Sequence, residues 1–258
     1  MSRITPDEGR IVVTGGGSGL GRALARRFAE QGFAVTVIGR RLDALEDSAA
    51  GHPGIAPLPL DIADAEAVAE AFAALAAEGP IAALVNNAAI YPVADFLTGS
   101  PRTLMGAVAV NLGGTVACSH AALQDMALRG RGRIVNVATF ADRAPLPGSA
   151  AYSVSKGAQR IFTRALIVET GDRLPGIVIS DWIPGALRTD MGLPDGIPPE
   201  TAARWGAALT LSADRSLMGV TFERDREVPE PVSLKRRLWN VVTRRTPRTR
   251  RITDDGVV

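Results

Sequence analysis

The chain has 258 residues, 46% of them hydrophobic and 5% aromatic, with 29 basic and 27 acidic side chains for a formal charge of +2. That length fits one large domain or two small ones with a sizeable core, and the near balance of charge excludes a nucleic-acid-binding domain overall. Cys118 is the only cysteine, which excludes an intrachain disulfide and fits a reducing compartment, so a cytoplasmic location is expected.

The start, Met1 to Arg10, is polar and charged, so no signal peptide is expected. No apolar run approaches the length of a membrane span, and none is predicted. His52 and His120 have no partner spacing for a metal, and no metal site is expected. The charge is uneven. The last 28 residues, from Pro231, carry eight basic and two acidic side chains, which leaves 21 basic against 25 acidic residues, a net of −4, before them. The predicted organisation is therefore one domain over 1–230 and a basic extension over 231–258.

Ile11-Val12-Val13 reads as a buried strand. It runs into Thr14-Gly15-Gly16-Gly17-Ser18-Gly19-Leu20-Gly21 and an amphipathic helix from Arg22 to about Gln31. Strand, glycine turn and helix form the context a dinucleotide fingerprint needs, because glycine lets the backbone approach a pyrophosphate held at the helix N-terminus. Phe33 to Ile38 reads as a second strand, ending at Gly39-Arg40-Arg41. An acidic side chain here usually binds the adenosine ribose. Gly39 removes it, and Arg40 and Arg41 offer guanidinium groups suited to a 2′-phosphate. NADP(H) is therefore the expected cofactor, ahead of NAD(H).

Strands and helices then alternate. Ile55 to Leu60 is a strand ending at Asp61, and Ala63 to Ala77 a helix. Ile81 to Val85 is a strand ending at Asn86-Asn87-Ala88-Ala89. Pro101 to Arg129 is a long helical pattern interrupted at Gly113-Gly114, just after Asn111. Arg133 to Ala138 is a strand ending at Thr139, a helix runs from Gly148 to Glu169, and Gly176 to Trp182 is a strand ending at Pro184-Gly185. Repeated βα units predict an α/β fold, a doubly wound parallel sheet in three layers. Ligands in such sheets bind beyond the C-terminal strand ends, where these polar residues collect.

Only two tyrosines and two lysines occur in the chain, and Tyr152-Ser153-Val154-Ser155-Lys156 holds one of each. Four residues apart on a helix, they share a face. A cation about 4 Å from a phenol contributes roughly 4 kcal/mol at an effective dielectric of about 20. That predicts a Tyr152 pKa lowered from its ordinary value of about 10 toward acid–base use.

Taken together, these motifs resemble the short-chain dehydrogenase/reductase family in its single-domain Rossmann form. They are T-G-x-x-x-G-x-G at Thr14 to Gly21, D-x-x-D at Asp61 to Asp64, N-N-A-A at Asn86 to Ala89, Asn111, Tyr152-x-x-x-Lys156, and P-G-x-x-x-T at Pro184 to Thr189. The resemblance implies an oxidoreductase that moves a hydride between nicotinamide and a carbonyl or secondary alcohol. Tyr152 would be the general acid/base. Lys156 would lower its pKa and bind the nicotinamide ribose. Asn111 would hold a water in a proton relay. Asn86 would lie near the cofactor and brace the sheet, and Asp61 and Ile62 would flank the adenine. Thr189 would contact the nicotinamide amide. Gly15, Gly17, Ser18, Gly19, Leu20 and Gly21 would cradle the phosphates, with Asn87, Ala88, Ala89, Pro184 and Gly185 completing the cofactor site. A homodimer or homotetramer is implied as well.

Two departures stand out. Thr139 occupies the place of the family's usual serine, keeping a hydroxyl that would orient the substrate oxygen. After Gly219 to Glu223, read as a seventh strand, the chain becomes charged instead of closing on a short glycine-containing end. A pocket is expected from Ile90, Tyr91, Val93, Phe140, Leu146, Leu187, Met191, Leu193 and Ile197, suited to an uncharged, partly apolar small molecule. Gly192 to Pro199 reads as a short lid. A non-catalytic dinucleotide-binding regulator, or an isomerase or dehydratase, remains open on the same scaffold. Leu234, Leu238, Val241 and Val242 predict a short basic amphipathic helix starting at Ser233. A disordered basic end is predicted after Pro247, and the tail is expected to pack on protein.

Overall fold

A computed structural model describes residues 3–229 and 249–258. The strands are β1 (Arg10–Thr14), β2 (Val35–Gly39), β3 (Ile55–Pro59), β4 (Ile81–Asn86), β5 (Gly132–Val137), β6 (Ile177–Ile183), β7 (Thr221–Glu223) and β8 (Arg226–Glu227). They form one sheet in the order β3-β2-β1-β4-β5-β6-β7-β8, parallel except for the last pair. The order reverses between β1 and β4, the switch point at which open α/β sheets leave a crevice. This is the predicted doubly wound fold.

Helices α1 (Gly19–Ala29), α2 (Leu42–Ala49) and α7 (Pro199–Leu211) cover one face of the sheet. Helices α3 (Ala65–Glu78), α5 (Gly114–Arg129) and α6 (Ala150–Thr170) cover the other. The sequence reading does not assign α2 or α7. The first is only eight residues long. The second begins at Pro199 after a run of glycine and proline, where proline marks a helix start as readily as a loop. Asp64, the second acid of D-x-x-D, caps α3 by accepting from the Ala67 N–H at 3.0 Å.

The long pattern from Pro101 to Arg129 is two helices joined without a break in direction. α4 (Pro101–Val108) passes through a π-helical turn, Ala109–Gly113, into α5. Its most apolar stretch has a mean hydropathy of 1.2, and a third of it is buried, where α5 packs on α3, β4 and β5. Asn111 sits inside the π turn, fully buried.

The predicted helix from Ser233 lies outside the described residues. The basic end that follows is not disordered where it is described. Strands β9 (Ile252–Thr253) and β10 (Gly256–Val257) form an antiparallel hairpin packed on α7. Ile252 and Val257 join the core, and the arginines find acids: Arg250 binds Glu227 at 2.8 Å, and Arg251 binds Asp225. The hairpin therefore belongs to the folded body, and its charge is neutralised locally rather than held in solvent. Replacing Ile252 by Ala should lower stability by about 2–5 kcal/mol, the range for truncating a buried aliphatic side chain. Thermal unfolding followed by circular dichroism tests this, and an unchanged midpoint would detach the hairpin from the folding unit.

Candidate active site

The glycine turn after β1 is held from three sides. The Thr14 hydroxyl accepts from the backbone N–H groups of Asn87 and Ala88, each at 3.0 Å. The Asn87 amide donates back to the Thr14 carbonyl at 2.9 Å and to that of Gly15 at 3.2 Å. Arg22 donates to the Gly17 carbonyl at 2.6 Å and to the Ser48 hydroxyl at 3.0 Å, and that hydroxyl donates to Gly16. Gly15 has φ +67° and an added Cβ would lie 2.8 Å from the Ala88 Cα; on Gly21 it would collide with the Gly15 carbonyl. Only glycine allows this close approach. Above the turn opens a groove of about 1490 Å³. A backbone cradle at a helix N-terminus, beside a groove of that size, fits the pyrophosphate and length of a dinucleotide.

The groove collects the expected cofactor residues. Gly15, Gly17, Ser18, Gly19, Leu20 and Gly21 line its floor, with Asn87, Ala88 and Ala89 beside them. Asn87 contributes there mainly as a brace, because its amide is committed to the turn. Arg40, Arg41, Asp61 and Ile62 lie at the end formed by β2 and β3, and Pro184, Gly185 and Thr189 at the end formed by β6. Arg40 and Arg41 are exposed and form no ion pair among the described residues. Asn86 lies deeper, donating to Asn136 at 2.8 Å and to Ser119 at 2.9 Å, so it braces the sheet and does not line the groove.

Thr139, Tyr152 and Lys156 meet at the β5–α6 end of the groove. The Thr139 side chain, whose hydroxyl accepts from the Ala141 N–H at 3.2 Å, stands beside the Tyr152 phenol, and the Tyr152 ring lies 4.6 Å from that of Tyr91, the chain's other tyrosine. The Lys156 ammonium donates to the Val137 carbonyl and to the Gln159 side chain, both at 2.7 Å. This arrangement corrects the expected pKa. Burial raises Tyr152 above its ordinary value, with Thr139 pulling it back and Tyr91 pushing it up; Lys156 is not among the groups that move it. The ammonium is committed to acceptors below the phenol. Burial brings Lys156 itself down to about 8, opposed by the charge of Asp181.

Asn111 reaches α6 from the π turn. Its amide donates to the Ile90 carbonyl and the Ser155 hydroxyl, both at 2.9 Å, while its oxygen accepts from the Ile90 N–H at 2.8 Å. Both amide protons are thus given to protein acceptors, and the side chain clamps the Ile90 segment to the helix rather than presenting a donor to water. Of the expected pocket residues, Ile90, Tyr91, Phe140, Leu187 and Met191 line the groove. Val93, Leu146, Leu193 and Ile197 do not: Ile197 packs on the core, and the others are exposed away from it. The stretch read as a lid folds back on the β6 loop through Arg188 N to Ile197 O, Ile197 N to Ala186 O and Leu193 N to Leu187 O bonds of 2.8–2.9 Å.

Sequence reasoning misses Arg22, Ser48, Gln159 and Asp181. Gln159 lies three residues beyond Lys156, on the same helix face. Asp181 is the one charged residue in the fully buried stretch Ile177–Ile183, which is itself a signal.

Residues 10–195 match the family model described as short chain dehydrogenase. The chain belongs to the short-chain dehydrogenase family. Among its relatives in that family, galactitol 2-dehydrogenase (L-tagatose-forming) of Cereibacter sphaeroides is 36% identical over 75% of this chain and 77% of that protein. Carbonyl reductase [NADPH] 2 of Sus scrofa is 33% identical over 76% and 78%. A solved short-chain dehydrogenase from Streptomyces avermitilis superimposes with a TM-score of 0.69, at 29% identity over 76% of this chain and 82% of that one. Membership makes the chain an oxidoreductase of a family that works with a nicotinamide dinucleotide, and the glycine cradle is where this short-chain dehydrogenase would hold it.

In this short-chain dehydrogenase the phenol of Tyr152 should ionise above its ordinary value of 10 in the free protein. With only two tyrosines, absorbance near the phenolate band resolves the titration. Thr139→Val should push it higher still, since the Thr139 hydroxyl is the neighbour that lowers it. A phenol ionising well below the ordinary value would reinstate Lys156 as the dominant neighbour.

Proposed function

We propose that the protein is an NADP(H)-dependent oxidoreductase interconverting a carbonyl compound and a secondary alcohol. The observation that carries this reading is the Tyr152 phenol, beside Thr139 and Lys156 in the lining of a groove that continues to Arg40. A bound nicotinamide dinucleotide supplies or accepts the hydride. Its phosphates would rest on Gly15 to Gly21, its adenosine end near Arg40, Asp61 and Ile62, and its nicotinamide end near Lys156, Pro184, Gly185 and Thr189.

The residues of this chain handle the proton. Burial keeps the phenol protonated at neutral pH, which suits Tyr152 to donate to a substrate oxygen in the reducing direction and to recover the proton in the other. The Thr139 hydroxyl orients that oxygen. Asn111 is a positioning residue through its clamp on Ile90 and Ser155. Ile90, Tyr91, Phe140, Leu187 and Met191 give the substrate end an apolar wall, which favours an uncharged molecule. A sugar alcohol and a carbonyl compound are what the names of two relatives point to. Thr139 keeping its contact with Tyr152 favours catalysis over a regulator that only binds a dinucleotide. Exposed Val116 and Leu128 on α5 and Ile161 and Val168 on α6 support association of copies into a homodimer or homotetramer. The buried free thiol of Cys118 supports a cytoplasmic location.

Turnover is best found by screening aldehydes, ketones and secondary alcohols while following NADPH absorbance. Tyr152→Phe should then lose at least about two orders of magnitude in rate with NADPH binding retained; a variant that kept its turnover would remove Tyr152 from the chemistry.

Cofactor choice is testable separately. NADPH should bind more tightly than NADH, because Arg40 offers a charge-assisted partner to a 2′-phosphate. Gly39→Asp with Arg40→Ala should reverse the order, and a Cβ at Gly39 meets only Leu45, at 3.4 Å. Dissociation constants favouring NADH in the unaltered protein would refute the assignment.

A further inference from the structure

Lys156 is 2% exposed, and no carboxylate lies within ion-pair distance of it among the described residues. Its two contacts, Val137 O and Gln159 Oε1, are neutral acceptors. A buried ammonium without an opposing charge tends to lose its proton. One buried acid lies beneath the same helix. Asp181, 5% exposed, stands in register with Asn136 on β5, which stands in register with Asn86 on β4.

The hydrogen bonds along this row all run one way. Asn86 Nδ2 donates to Asn136 Oδ1 at 2.8 Å, Asn136 Nδ2 donates to Thr163 Oγ1 at 2.9 Å, and Thr163 Oγ1 donates to Asp181 Oδ1 at 2.8 Å. The shortage of donors falls at the far end, where the acceptor Asn86 Oδ1 is buried without a partner among the described residues. A chain of donors directed at one carboxylate stabilises that carboxylate as an anion. Thr163 also ties it to the lysine, because the Thr163 hydroxyl lies against the backbone carbonyl of Gln159, whose side chain accepts from Lys156.

We propose that Asp181 is the counter-charge of Lys156, a positioning residue that keeps the buried lysine an ammonium from the same buried face of α6 without a direct ion pair.

The surroundings leave few other candidates. Facing Asp181 from α6 are Lys156, Arg160, Thr163 and Arg164, and Arg160 is already paired with Asp142. β5 presents Asn136, and β7 places Thr221 beside Asp181 in the sheet. Arg133 lies on the opposite face, bound to Ser180 Oγ at 2.9 Å and to the Val178 carbonyl. Burial brings Lys156 down to about 8, opposed by the charge of Asp181, and lifts Asp181 to about 6, opposed by the Thr163 hydrogen bond and then by the charges of Arg160 and Lys156. The two are charged together between those values: below, Asp181 is protonated; above, Lys156 is neutral.

The chain contains only two lysines, so carbon-13 labelling at lysine Cε gives two signals, and Lys235→Arg identifies that of Lys156. Asp181→Asn keeps an oxygen for Thr163 to donate to and removes the charge. Its Lys156 titration midpoint should fall by about one unit. The alkaline limb of kcat/KM should move down with it. An unmoved midpoint in a variant with a native circular dichroism spectrum overturns the proposal. Should that variant fail to fold, the unaltered protein decides: a second inflection of the Lys156 signal near pH 6, as Asp181 takes a proton, supports the pairing, and a single inflection overturns it. The catalytic meaning rests on the reaction proposed above, but the titration is read without substrate. A failed turnover screen would leave the pairing standing, and an unmoved midpoint would leave the Tyr152 chemistry standing.

Discussion

An ammonium withdrawn from water costs several kcal/mol unless protein groups replace its hydration. Lys156 meets that demand with the carbonyl of Val137, the last residue of β5, and with Gln159 one turn along its own helix. The requirement fixes the height of α6 against the sheet. Tyr152, one turn earlier, is then brought to Thr139, two residues beyond Val137. Arg160, one turn later, reaches Asp142 in the same loop at 2.5 Å. Three successive turns of one helix are thus fastened to the end of one strand, and the proposed acid–base group is placed by that fastening more than by contacts of its own.

Much of this was legible in the residues. The parallel strands show as short apolar runs that stop at polar or glycine-rich turns, and their order follows from the βα repeat. Gly113-Gly114 marked the disturbance in the long helix, although glycine alone does not tell a break from a π turn. The pKa of Tyr152 was not legible. Spacing of four puts two side chains on one helix face, but it does not tell which acceptor a long, flexible lysine will choose. Val93, Leu146, Leu193 and Ile197 show the same limit, since their facing depends on how the loops after β4, β5 and β6 fold back. Asp181 needed the sheet: only register reveals that it shares a row with Asn86 and Asn136.

The C-terminal hairpin was misread because its charge dominates its sequence. Ile252 and the pair Val257-Val258 are the only apolar residues among arginine, threonine, aspartate and glycine there, too few to show a period. Their partners, α7 and the acids after β7, lie far away in sequence. With the hairpin in place, α7 is packed between it and α1. Pro199, Thr201, Ala203 and Arg204 of α7 then form a wall of the groove.

The π turn at Ala109–Gly113 carries a consequence for comparing this chain with its relatives. Such a turn is one residue more than an α-helix needs for the same advance. Loss of a single residue there would leave a continuous, well-formed helix of nearly unchanged length. The extra residue is taken up inside the turn, so the helix before it and the helix after it would keep their faces. Only the residues of the turn itself would be re-aimed, and Asn111, which reaches Ile90 and Ser155 from it, is one of them. A one-residue gap at this point in an alignment therefore marks loss of the π turn and not a change of helical phase, and the residue written opposite Asn111 is equivalent to it only where the turn is kept.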